Sequence, residues 1–65
     1  MQNWISTEHG WVAFASDLAR NSNDPMGNPI DVRDGTWKAE HDREGELLSW
    51  RKHLPNGKML TVYND

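Results

Sequence analysis

Apolar side chains at Trp11, Phe14, Ala15, Leu18 and Ala19 recur at the three- and four-residue spacing of one helical face, with Ser6 or Thr7 placed to cap the start. The spacing predicts a helix over about residues 7–20, with Ile5 positioned to staple its entry. Gly10 works against that helix, since an interior glycine costs about 1 kcal/mol relative to alanine. The alternative is a short strand through Trp11 to Phe14.

Residues 21–29 hold turn formers and two prolines that cannot continue a helix, and a polar loop is expected over 21–35. Beyond it the pattern changes to period two. Leu54-Pro55-Asn56-Gly57 places proline where its fixed φ suits a type I turn, and a glycine where a left-handed bulge follows. A three-residue loop then pairs Leu54 with Lys58, Lys52 with Leu60, Trp50 with Val62 and Leu48 with Asn64. This register gathers Leu48, Trp50, Leu54, Leu60 and Val62 on one face, and leaves Ser49, Arg51, His53, Met59, Thr61 and Tyr63 on the other. Upstream, a four-residue Asp42–Gly45 loop pairs His41 with Glu46, Ala39 with Leu48 and Trp37 with Trp50.

The expected fold is α+β: one N-terminal helix packed on a three-stranded antiparallel meander over about residues 36–64, in one small domain spanning 1–65. Trp4, Ile5, Met26, Ile30 and Val32 close the ends of the layer. In this topology Met59 to Tyr63 is an edge strand, and pairing across a two-fold axis makes a homodimer one expectation.

Sixty-five residues bury only about 60% of the surface of the unfolded chain, which disfavours a deep, dry catalytic pocket. The absence of cysteine excludes disulfides, thiolate zinc sites and cysteine nucleophiles. No apolar run approaches a membrane span and no leader pattern is recognisable, so a soluble, unprocessed, cytoplasmic protein is expected. His9, His41 and His53 lack metal-ligand spacing, and neither a nucleophile motif nor a phosphate-binding glycine loop is present. Neither enzyme activity, a metal nor a cofactor is expected.

Charge separates the remaining function classes. Residues 24–46 carry seven acids against three bases, while 47–63 carry Arg51, Lys52 and Lys58 with no acid. The first reading is a small acidic protein-binding module, comparable in size and composition to phage- or mobile-element-type inhibitors, that binds a basic or nucleic-acid-binding protein. Asp31, Asp34, Glu40, Asp42, Glu44 and Glu46 form its acidic face, and Trp4, Met59 and Tyr63 are its anchors. The second reading is a nucleic-acid-binding domain that uses Lys38, Arg51, Lys52, His53 and Lys58 around the terminal hairpin. It is opposed by the small number of cations and by Glu40 among them.

Overall fold

The computed structural model describes residues 3–20 and 23–65, and they build one mixed sheet. Its strands are β1 (Ile5–Thr7), β2 (Gly10–Phe14), β3 (Lys38–His41), β4 (Leu47–His53) and β5 (Met59–Tyr63). They lie in the order β1-β2-β5-β4-β3, with β2 and β5 parallel and the other neighbours antiparallel. Among the described residues no α-helix forms; the only helical element is a 3-10 turn at Ala15–Asp17.

The expected N-terminal helix on a three-stranded meander is therefore corrected. The 7–20 segment supplies the second half of a hairpin, the strand alternative through Trp11 to Phe14, and then a tight turn. The cause lies in residues 7–10. The Thr7 hydroxyl accepts the His9 N–H at 3.2 Å and donates to the Gly10 carbonyl at 3.1 Å, closing a two-residue turn through Glu8 and His9. Gly10 itself has φ 140°, a conformation no helix contains. The three-and-four spacing is met differently: Trp11 and Ala13 face the core from a strand, and the 3-10 turn brings Ala15 and Leu18 back to the same side.

The terminal hairpin has the expected register. Trp50 lies opposite Val62 and Lys52 opposite Leu60, the Leu54 N–H donates to the Lys58 carbonyl at 2.9 Å, and the Asn64 N–H donates to Leu48 at 2.9 Å. The first hairpin departs from expectation. Its loop is the three residues Arg43–Gly45, closed by the Asp42 N–H on the Glu46 carbonyl at 2.9 Å, and a bulge between Glu40 and His41 moves Ala39 opposite Trp50. The offset is two residues at Ala39, so its face is preserved, but Leu48 beside the bulge is left 48% exposed.

The core forms on one face only. Leu60 and Val62 are fully buried with Trp37, and Trp4, Trp11, Ala15, Leu18, Ile30, Val32, Trp50 and Leu54 pack against them. The covering loop is stapled by buried Asp24, whose carboxylate accepts the Met26 N–H at 3.0 Å and the Asn28 N–H at 2.9 Å. Trp4 joins this cover by donating its indole N–H to the Asn23 carbonyl at 3.0 Å. Ile5 and Met26, expected to close the layer, are instead exposed. β5 sits between β2 and β4, so it is not an edge; the edges are β1 and β3.

Candidate functional site on the uncovered sheet face

Because side chains alternate along a strand, every core-facing residue has a neighbour on the opposite side of the sheet. The registers align that outer face in rows. One row runs Lys38, Arg51, Thr61, Val12, Ile5 across all five strands; the row beside it runs Glu40, Ser49, Tyr63, Phe14. On the other side of Arg51, His53 lies opposite Met59, which neighbours Gly10 and then Thr7. The covering loops lie on the core face, and Ile5, Phe14 and Tyr63 stand exposed at 55%, 38% and 41% on this one. The Phe14 and Tyr63 rings meet at a centroid separation of 6.1 Å, a tilted aromatic pair on adjacent strands.

Within this face lies an open cleft of about 310 Å³, lined by Thr7, Val12, Arg51, Met59, Thr61 and Tyr63 among others. Thr61 is buried, while Arg51, Val12 and Met59 are half-buried. The Arg51 Nε is buried with no hydrogen-bond partner. The only ion pair among the described residues is Glu8 with His9, at 3.2 Å and exposed, so no carboxylate neutralises Arg51.

The expected acidic residues do not converge on one patch. Asp42, Glu44 and Glu46 belong to the β3–β4 turn at one end of the hairpin, where the Asp42 carboxylate accepts the N–H groups of Glu44 and Glu46, each at 2.9 Å. Asp31 and Asp34 lie in the loop leading to β3, accepting the Arg33 N–H at 3.0 Å and the Thr36 N–H at 2.8 Å. Three of the six acids are thus turn staples. Glu40 alone stands on the outer face, one row from Arg51. The hydroxyl of Thr36, at 2.6 Å, holds the Asp34 carboxyl below its ordinary value, with the Thr36 N–H and the charge of Lys52 acting in the same direction.

The expected anchors divide similarly. Met59 and Tyr63 lie on the outer face, whereas half-buried Trp4 packs against the core. Of the basic set, Lys38, Arg51 and His53 share the outer face. Lys52 alternates to the core side, and Lys58 donates its ammonium to the Glu8 carbonyl at 3.2 Å. Ile5, Val12 and Phe14 complete the outer face and were not expected there; the alternation from Trp11 to Phe14 carries that signal once the segment is read as a strand.

Among the described residues no group of three or more histidine or acidic side chains could hold a metal ion, and no helix is long and apolar enough to cross a membrane. Comparison with protein-family models, curated proteins and solved structures finds no match.

Proposed function

We propose that this chain is a small non-enzymatic protein-binding module, an inhibitor or adaptor, that docks through the uncovered face of its sheet. The observation that carries this reading is the placement of Ile5, Phe14 and Tyr63, exposed together with half-buried Val12 and Met59 around Arg51, on a face the core does not use. A chain with so thin a core gains stability by burying such side chains, and aromatic and arginine side chains are the usual anchors of interfaces. Glu40, Glu44 and Glu46, all exposed, supply negative charge at the border of this face and steer a basic partner toward it.

The nucleic-acid reading is weaker on this arrangement. Lys52 leaves the face and Lys58 is engaged with the β1–β2 turn, so Lys38 and Arg51 are the fixed positive charges that remain, with Glu40 in the adjacent row. The test is affinity capture from a lysate of the native cell, with and without nuclease, comparing the wild type with a Phe14→Ser/Tyr63→Ser double variant. A discrete protein held after nuclease treatment and lost by the double variant is the expected result. Capture of nucleic acid alone, lost as salt rises, would replace this reading with the other.

A further inference from the structure

Arg51 is at odds with its surroundings. Its Nε–H is desolvated and unmet, a destabilising condition in a folded protein, and no acidic side chain pairs with it. The terminal N–H groups of a guanidinium form a planar fork whose spacing matches the two oxygens of a carboxylate, and those of half-buried Arg51 face no acidic side chain. Thr61, directly across from Arg51 on β5, adds a hydroxyl to the same cleft. Val12, Met59 and Tyr63 add apolar surface beside this polar pair, and Thr7 and His9 also line the cleft. One fixed cation beside apolar side chains suits one carboxylate carried next to an apolar group. A nucleic-acid backbone, by contrast, draws on several simultaneous cationic contacts.

We propose, resting on the protein-binding reading, that this cleft receives an acidic side chain of the partner polypeptide. Its carboxylate bridges the Arg51 fork, and the partner's neighbouring apolar or aromatic residue packs on Val12, Met59 and Tyr63. The contact is local: the acidic border residues steer the encounter, and Arg51 selects one carboxylate within the docked surface.

The experiment is an NMR titration of the labelled protein with two blocked dipeptides, acetyl-Glu-Phe-amide and acetyl-Gln-Phe-amide, with inorganic phosphate and a short oligo-dT as further arms. The glutamate peptide should shift the Arg51 Nε–H, Thr61 and Val12 resonances saturably, and the glutamine peptide should bind at least about tenfold more weakly. Arg51→Met should abolish that preference, and Arg51→Lys, which keeps the charge without the fork, should retain only part of it. Equal binding of the two peptides, a preference surviving in Arg51→Met, or tighter saturation of the same resonances by phosphate or oligo-dT each overturns the proposal. Lysate capture separates the two readings. If Phe14→Ser/Tyr63→Ser abolishes capture but Arg51→Met leaves it intact, the docking face stands and the carboxylate site falls. If the peptide preference holds while the double variant captures normally, the cleft stands and the docking face falls.

Discussion

Gly10 and Met59 lie so close across the parallel β2–β5 pair that a β-carbon on Gly10 would sit 1.9 Å from the Met59 carbonyl oxygen. The obstacle is backbone and cannot rotate away, and the φ of 140° adds conformational strain for any residue with a side chain. Gly10→Ala is therefore expected to separate β2 from β5 at a cost of about 3 kcal/mol or more, comparable with the whole stability of a domain this small. Thermal unfolding followed by tryptophan fluorescence checks it. Gly35→Asn, at φ 92° with open space around it, is the control: it carries backbone strain without the clash and should cost only about 1 kcal/mol. A Gly10→Ala protein as stable as wild type would refute the close approach.

The same contact explains why the two halves of the chain differed in legibility. The terminal hairpin could be read from Leu54 to Gly57 because proline and glycine set the turn, the turn sets the register, and the register sorts Trp50, Leu60 and Val62 from Arg51, Thr61 and Tyr63. The register alone puts Met59 and Tyr63 on the outer face. The N-terminal half has no such anchor. A five-residue strand followed by a 3-10 turn puts Trp11, Ala15 and Leu18 on one side just as a helix does, and what decides between them is a parallel pairing with residues almost fifty positions away. The bulge at Glu40 and His41 left no mark in the apolar pattern either, because its offset of two at Ala39 keeps the same face inward. Hence Ile5, Val12 and Phe14, the half of the candidate surface contributed by β1 and β2, are not legible from the apolar pattern alone.

Asp24 organises the loop that covers the core. It is 4% exposed, accepts two backbone N–H groups with its carboxylate, and receives a third contact when the Gly27 N–H donates to its carbonyl at 3.0 Å. Asp24→Ala leaves two backbone donors unmet and should destabilise the fold by about 2–3 kcal/mol, with Asp24→Asn, which keeps an acceptor, costing less. Chemical denaturation of the two variants measures the difference. Equal losses would mean that the charge, and not the acceptor geometry, holds the loop.

Two surface carboxylates should contribute to loss of stability in acid. Asp65 accepts both the hydroxyl and the N–H of Ser16, the latter at 2.9 Å, and the hydroxyl bond is the main reason its carboxyl lies below the ordinary 3.8; Asp34 is lowered by Thr36 in the same manner. A carboxyl whose folded value is depressed contributes stability that is complete above the unfolded value. That contribution is lost as pH falls through the folded one. Stability should therefore be flat from neutral pH to about 5 and decline below about 4. Ser16→Ala and Thr36→Val should each make the decline shallower, read from unfolding midpoints across the acid range. An acid limb identical in wild type and both variants would remove these bonds from the explanation.

Arg51 and Lys52 are sequence neighbours that face opposite sides of β4, and they should respond oppositely to the loss of their charge. Lys52, opposite Leu60 on the core side, lies close enough to Asp34 to help lower its carboxyl, so Lys52→Met gives up a weak, solvent-screened attraction of small effect. Arg51 has no such pair, and its buried Nε–H is unmet. Arg51→Met keeps a long apolar stem in the row beside Thr61 while deleting the unsatisfied donor, and should raise stability by about 1 kcal/mol. A stabilising substitution at a charged sheet position is the pattern left where a residue is retained for binding at the expense of folding. Differential scanning calorimetry of the two single variants decides it. A clear loss of stability in Arg51→Met would show that the guanidinium is part of the folding energy and would take away the reason to regard it as waiting for a ligand.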